Sequence, residues 1–219
     1  MKNILCFGDS NTYGYKPDGT GRYDFNVRYP GRLQLILGEA YHIVEEGCPG
    51  RTTVYEDPNN PYKRGLDYIT PCLMSHRPLD YVIVMLGTND CKSVFRVSAP
   101  EIAAGLSRIV EKIRDIAGAE TGVLLVSPVP LGSNMGKPGY DPEFDRESVS
   151  VSKALANAYA KLAEEADCCY LDASLIAAAS PIDEEHLDET AHLNLASALA
   201  ALLLKDRIMR NNVDKRDRL

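Results

Sequence analysis

Apolar and polar positions follow two distinct rhythms along the chain. Short apolar runs stand at Ile4 to Phe7, Tyr41 to Val44, Tyr81 to Leu86, Gly122 to Val126 and Cys168 to Leu171. The run Tyr81-Val82-Ile83-Val84-Met85-Leu86 is apolar without alternation, as a strand buried on both faces of a parallel sheet should be. Between the runs lie segments of helical period. Arg28 to Leu37 reads as a helix closed by Gly38. Leu66 to His76 reads as another, which Pro71 either kinks or divides. Ser98-Ala99-Pro100-Glu101 is a capping-box pattern. Ile102, Leu106, Ile109, Val110, Ile113 and Ile116 follow it at helical spacing, and Gly118 can close that helix. Helices are also predicted over Arg146 to Glu165, briefly over Ser174 to Ala179, and from about Asp188 onward, with Leu195, Leu199 and Leu202 on one face. Strands alternating with helices imply parallel strands joined by right-handed crossovers. The expected fold is α/β: a three-layer α/β/α sandwich around a five-stranded parallel sheet, flavodoxin-like in strand order. With no repeat, low-complexity tract or linker, residues 1–219 are expected to form a single domain with a charged helix or tail from about residue 205.

Composition sharpens this picture in three places. The 219 residues are 45% hydrophobic and 25% charged, ordinary for a soluble globular chain. A domain of this size buries roughly 70% of its unfolded surface, so it needs no covalent staples. There are 24 Lys and Arg against 31 Asp and Glu, a net charge of -7. Residues 205–219 hold six basic and three acidic residues, so the remainder carries -10. An acidic body argues against nucleic acid as a partner and favours neutral over anionic substrates. The N-terminal apolar run is broken by Gly8 and Asp9, unlike a secretory signal, and no run is long enough to cross a membrane. A cytoplasmic location is expected. The six cysteines, Cys6, Cys48, Cys72, Cys91, Cys168 and Cys169, show no Cys-x-x-Cys spacing, so buried free thiols are expected rather than a zinc or redox motif.

Candidate chemistry gathers where the fold would place it. In open parallel sheets, ligands bind outside the carboxyl ends of the strands. There the chain carries Gly8-Asp9-Ser10-Asn11-Thr12, Glu45-Glu46-Gly47-Cys48-Pro49-Gly50 and Gly87-Thr88-Asn89-Asp90. A fourth polar segment, Asp183-Glu184-Glu185-His186, precedes the last helix. A serine hydroxyl is a weak nucleophile and needs a base. His186 can serve Ser10, with Asp183 three residues upstream accepting from its other ring nitrogen. The backbone N–H groups of Ser10 and Gly47 and the Asn89 amide are candidate oxyanion donors. His192 competes with His186, but its carboxylate neighbour Asp188 reads as a solvated i,i+4 contact within the helix. Asp9 reads as a turn-holding residue. Cys48 and Cys91 read as small wall residues rather than catalytic thiols. Arg51 either binds an anionic substrate group or braces its loop.

In this order the four segments resemble the four blocks of the SGNH hydrolases, the GDSL lipase/esterase family. The resemblance spans residues 8 to 186 and implies a flavodoxin-like sandwich and serine-dependent ester hydrolysis without metal or organic cofactor. Phe7 to Tyr15, Glu45-Glu46-Gly47 with Arg51-Thr52-Thr53, and Met85 to Asp90 are more narrowly similar to the bacterial arylesterase branch, some members of which transfer acyl groups to alcohols. By that match Ser10, Asp183 and His186 form the triad, and Ser10, Gly47 and Asn89 the oxyanion hole. Asn11, Tyr13, Tyr15, Cys48 and Arg51 are the pocket candidates. Two departures stand out. Glu45 replaces the family's Asn two residues before the block-two glycine, and Tyr13 and Tyr15 stand where the branch tends to carry Trp. The long segments Asn11 to Asn26, Gly47 to Tyr62 and Ser127 to Asp145 are expected to form pocket walls or subunit contacts. The resemblance hints at a homo-oligomer, with no interface signature in the sequence.

The expectation is a serine esterase for small-molecule, short-chain esters, with activity lost as His186 protonates near ~6.5. Three rivals remain at this level: a carbohydrate O-deacetylase of the same family, a non-catalytic ligand-binding module, and a metal-dependent hydrolase using Asp9, Asn89 and His186.

Overall fold

The computed structural model describes residues 1–216, with side chains through Lys205. The chain runs β1 (Lys2–Gly8), α1 (Ser10–Tyr13), α2 (Tyr29–Leu37), β2 (Tyr41–Gly47), α3 (Gly65–His76) and β3 (Tyr81–Met85). It continues with α4 (Ala99–Ala117), β4 (Gly122–Ser127), α5 (Arg146–Glu165), β5 (Cys169–Asp172) and α6 (Glu189–Arg216). The five strands form one sheet of order β2-β1-β3-β4-β5, every pairing parallel. This is the three-layer α/β/α arrangement of flavodoxin-like order expected from the sequence. The chain reverses its winding between β1 and β3, and such a switch point opens a crevice at the strand carboxyl ends.

Alternation along the strands divides the core in two. Leu5, Phe7, Val82, Val84 and Leu125 pack with α3, α4 and α5 on one side of the sheet. Ile4, Cys6, Ile83, Met85, Leu124 and Val126 pack with α2 and α6 on the other. The central strands β1, β3 and β4 are apolar on both faces because both faces are covered. The capping box of α4 forms, with the Ser98 N–H donating to the Glu101 carboxylate at 2.8 Å.

Several boundaries differ from the sequence reading. β2 continues through Glu45 and Glu46 to Gly47, because Gly47 pairs with Gly8 in register. The two glutamates are tolerated at this sheet edge because Arg28 and Arg22 pair with Glu45 and His76 pairs with Glu46. Pro71 lies inside a continuous α3 at an exposed position. The short helix expected over Ser174 to Ala179 is only a 3-10 turn, Ala173–Leu175, held by the Asp172 carboxylate on Ser174. Beyond it Ala179 bridges Leu187, which draws the chain out of helix. The thiols are not uniformly buried. Cys48 and Cys168 are half-buried and Cys169 is exposed on the edge strand β5. The charged tail expected from about residue 205 continues α6, and its side chains from Asp206 on lie outside the described residues.

His192 is the largest correction. It is wholly buried on α6, not solvated. Its Nδ1 accepts the Tyr29 N–H at 3.2 Å, and its ring packs on those of Tyr29 and Tyr23. Burial, helped by the Arg32 charge, lowers its pKa to about 3. The unfolded chain takes up this proton near the ordinary 6.5, the folded chain only near 3. The stability tied to neutral His192 is therefore full above pH 6.5 and is lost as pH falls toward 3. Urea unfolding of wild type and His192→Gln should show the wild-type advantage shrinking by about 1.4 kcal/mol per pH unit within that window; a pH-independent difference would contradict it.

Candidate active site

The turn after β1 sets the first element. Asp9 caps α1, its Oδ1 accepting the Asn11 N–H at 3.0 Å, so Ser10 opens the helix at the sheet rim. Burial pushes the Asp9 pKa up to about 6. As expected, Asp9 serves the turn. Asn11 reaches across to the segment before α6. Its Oδ1 accepts the Leu187 N–H at 2.9 Å and its Nδ2 donates to the Glu185 carbonyl at 3.5 Å. Asn11 thus clamps two turns together and is absent from the cleft lining, in contrast to its reading as a pocket residue.

That second turn is Asp183-Glu184-Glu185-His186. Asp183 Oδ1 accepts the His186 backbone N–H at 3.0 Å, and Oδ2 lies 2.6 Å from His186 Nδ1. The other ring nitrogen, Nε2, lies 2.9 Å from Ser10 Oγ. One hydrogen-bonded chain therefore joins Ser10, His186 and Asp183. Burial opposes charge on His186, but the Asp183 hydrogen bond and the Glu185, Asp183 and Asp9 charges outweigh it, raising the pKa above 6.5. Burial likewise opposes charge on Asp183, but the hydrogen bonds from His186 and from the His186 and Glu185 N–H groups hold its carboxyl below the usual range.

Glu184 sits at φ 59°, in the left-handed region that costs an ordinary side chain about 1 kcal/mol or more. Its side chain offsets this: the Asn134 N–H donates to Oε2 at 2.7 Å and Asn134 Nδ2 donates to Oε1. The Gly132 N–H adds a bond to the Glu184 carbonyl at 2.8 Å.

The strand ends opposite are equally constrained. A side chain at Gly47 would collide with the Tyr13 backbone, so β2 can end close against α1 only with glycine. Gly87, at φ 122°, lets the chain leave β3 beneath the Tyr159 hydroxyl, which donates to the Leu86 carbonyl at 2.9 Å. Asn89 then sits buried in a 3-10 turn and donates one amide hydrogen to the Arg51 carbonyl at 3.2 Å, leaving its second for a ligand. Asp90 accepts from the Thr53 N–H at 2.9 and 3.0 Å, tying this turn to the loop after β2.

Arg51 is the loop brace of the two readings left open. Its Nη1 donates to the Gly8 carbonyl at 2.9 Å and to the Glu46 carbonyl, and its guanidinium lies 4.3 Å from the Phe7 ring centroid. Tyr13 is likewise outside the cleft lining, its ring covered by Arg22 at 4.3 Å. Cys48 is outside it too, and Cys91 is buried with its thiol raised by burial. Tyr15 does line the cleft, its ring centroid 4.8 Å from that of His186.

The cleft holds about 340 Å³ and opens on Ser10, Asn89 and His186. Pro49, Gly50, Asn60 and Lys63 wall one side; Lys92, Asp141, Glu143 and Glu185 complete it. The long loops after β2 and β4 thus supply walls, as expected. A larger groove of about 540 Å³ lies between α4 and α5, away from all these groups.

Sequence reasoning missed the fastening of those walls. Lys92 Nζ lies 2.7 Å from Asp57 Oδ2 and 2.6 Å from Glu143 Oε2, and both Lys92 and Asp57 are buried. The Ser93 N–H donates to the Glu143 carbonyl at 2.8 Å. One cation thereby joins two long loops. Its only sequence signal was adjacency to Gly87-Thr88-Asn89-Asp90. Glu184 and Glu185 were also missed, although they fill the gap of the Asp183-x-x-His186 spacing.

Among the described residues, one group of three potential metal donors, Glu46, Cys72 and His76, has its ligand atoms within 4.8 Å of one another. It lies between β2 and α3, where His76 Nε2 already pairs with Glu46 at 2.9 Å. The trio Asp9, Asn89 and His186 does not present a comparable set: Asp9 is absent from the cleft lining, and both His186 nitrogens are engaged. Among the described residues no helix is long and apolar enough to cross a membrane.

Fold and geometry together define the class: a three-layer α/β protein carrying, at the strand carboxyl ends, the constellation that serine hydrolases use. Residues 6–198 match the GDSL-like Lipase/Acylhydrolase family, and the chain belongs to that family. Among solved structures, the native aryl esterase of M. smegmatis is 35% identical with a TM-score of 0.87, over 94% of this chain and 99% of that one. A carbohydrate acetylesterase family member from Sinorhizobium meliloti is 34% identical with a TM-score of 0.86, over 93% and 97%. An acetylxylan esterase of Xylanibacter ruminicola is 29% identical over 111 residues; the match spans 51% of this chain and only 22% of that protein.

Replacing Lys92 by Met should leave buried Asp57 unpaired and free both loops. A loss of roughly 3 kcal/mol in unfolding free energy is expected, with a higher KM for esters. Unchanged stability by urea titration would show that Lys92 fastens nothing.

Proposed function

We propose that this chain is a serine esterase that cleaves short-chain carboxylic esters through an acyl-enzyme. The observation that carries the reading is the Ser10–His186–Asp183 hydrogen-bond chain opening into the cleft. Ser10 Oγ attacks the ester carbonyl as its proton passes to His186 Nε2. Asp183 holds Nδ1 and stabilises the imidazolium. The Ser10 and Gly47 N–H groups and the second Asn89 amide hydrogen receive the oxyanion. When the C–O bond breaks, His186 returns the proton to the leaving alcohol. Water, or another alcohol, then attacks the acyl group by the same steps in reverse, giving hydrolysis or acyl transfer. The partner in this reading is a small-molecule ester, and no step calls on a metal, an organic cofactor or a nucleic acid.

A second reading, O-deacetylation of a carbohydrate, is favoured by the polar cleft wall of Asn60, Lys63, Asp141 and Glu143. Those groups suit a hydroxyl-rich alcohol better than an alkyl one, because an apolar group would strip water from them without replacing its hydrogen bonds. Comparing kcat/KM for acetylated sugars and for aryl and alkyl acetates separates the two. Labelling by a serine-reactive fluorophosphonate separates both from a binding module, which would give no adduct at Ser10.

Ser10→Ala should abolish hydrolysis of p-nitrophenyl acetate, and wild-type rates in that variant would end the proposal. Asn89→Ala should lower kcat by about 10²–10³. The base must be neutral, so activity should rise with pH through a midpoint above 6.5, because the folded pKa of His186 is raised. A kcat/KM profile with its acid limb below 6.5 would contradict that assignment.

A further inference from the structure

Glu185 is a buried carboxyl that the steps above do not use. Its residue is 7% exposed and lines the cleft. Its backbone is fixed on both sides: the N–H donates to Asp183 Oδ1 at 3.1 Å, and the carbonyl accepts from Asn11. Its Oε1 lies 3.8 Å from His186 Nε2, the nitrogen that also faces Ser10. The other cations of the cleft are spoken for. Lys92 is held by Asp57 and Glu143, and Lys63 donates to Asn60. The remaining charged or titratable groups around this pair are acidic or neutral. Asp183 stands at Nδ1, Asp9 on the β1 turn and Asp141 on the facing loop, while the His192 ring on α6 is uncharged at neutral pH.

Resting on the esterase reading, we propose that Glu185 is a positioning residue. It is a second carboxylate for His186, set on the Nε2 side as Asp183 is set on the Nδ1 side. No bond forms or breaks at Glu185. The proton passes from Ser10 Oγ to Nε2 and on to the leaving alcohol, while the Glu185 charge stabilises the imidazolium between those transfers. Two like-signed partners on one ring make His186 a stronger base than Asp183 alone would. They also confine the ring, with Tyr15 against its face. Burial outweighs the pull of the imidazolium charge and leaves the Glu185 pKa raised to about 7, so the two groups titrate as a coupled pair.

The test compares Glu185→Gln and Glu185→Asp with wild type. The acid limb of kcat/KM for phenyl acetate should fall by about half a pH unit or more in Glu185→Gln, a threefold or larger drop in the proton affinity of His186. Glu185→Asp should restore most of the wild-type midpoint. His186 is also titrated by NMR in the Ser10→Ala background, with and without Glu185→Gln, which reads the same shift without any turnover. A midpoint unchanged in both measurements would overturn the proposal and leave the esterase reading standing. Full activity in Ser10→Ala would instead sink the esterase reading, while the NMR titration would still decide whether Glu185 acts on His186.

Discussion

The chemistry at the rim depends on one join between segments far apart in sequence. Ser10 leaves β1 and His186 precedes α6, yet Oγ and Nε2 must meet at 2.9 Å. Neither turn alone fixes that distance. The Asn11 side chain does, by bonding both the Leu187 N–H and the Glu185 carbonyl from the residue next to Ser10. A planar amide with one donor and one acceptor engaged cannot slide along its partner, so the two turns move as one body. Asp183 then sets the ring by holding both the backbone N–H and Nδ1 of His186. In the proposed reaction a shift of about 1 Å in such an arrangement costs roughly 10²-fold in rate, so the clamp matters there as much as the groups it joins.

Three consecutive carboxylates share this turn, and each answers to a different part of the molecule. Asp183 looks inward at Nδ1, Glu184 outward to the loop after β4, and Glu185 into the cleft at Nε2. Their mutual repulsion is eased because Asp183 and Glu184 meet donors on their own sides and Glu185 faces the His186 ring. Glu184 also accepts a left-handed backbone that glycine would take freely. Its bonds to Asn134 recover the cost and bind the loop after β4 to the histidine turn. That loop is in turn bound, through Glu143 and Lys92, to the loop after β2. The walls of the cleft and its base are thereby parts of one network.

The layers and the strand order were legible in the sequence because they follow from local facts. Strands such as Tyr81–Met85 are apolar on both faces, and helices such as Ala99–Ala117 announce themselves by caps and period. The four polar blocks were legible because each must follow a strand or precede a helix. What could not be read was every assignment decided by a distant partner. His192 looked solvated beside Asp188, but the Tyr29 backbone and two tyrosine rings enclose it. Arg51 had two roles open until the Gly8 and Glu46 carbonyls claimed its guanidinium. The segment after Asp172 has helical composition, yet pairing of Ala179 with Leu187 overrides it. Asn11 and Tyr13 follow Ser10 closely in sequence, but a four-residue helix turns both away from the cleft lining.

The departures from the arylesterase pattern now have physical content. Glu45, at the position where the family carries Asn, is neutralised by Arg28 and Arg22 at the sheet edge, so it adds no bare charge near Gly47. Tyr13 lies under Arg22 and leaves Tyr15 as the aromatic wall. Where a tryptophan would present a broad apolar face, Tyr15 presents a smaller ring pressed against His186. Beside Pro49 and Gly50, the outer wall of the cleft carries amide, ammonium and carboxylate groups. Entry of an apolar alcohol group would remove water from those groups without replacement, whereas a hydroxyl-bearing one exchanges one set of hydrogen bonds for another. Under the proposed ester chemistry, selectivity on the alcohol side follows from the same charges that hold the loops in place.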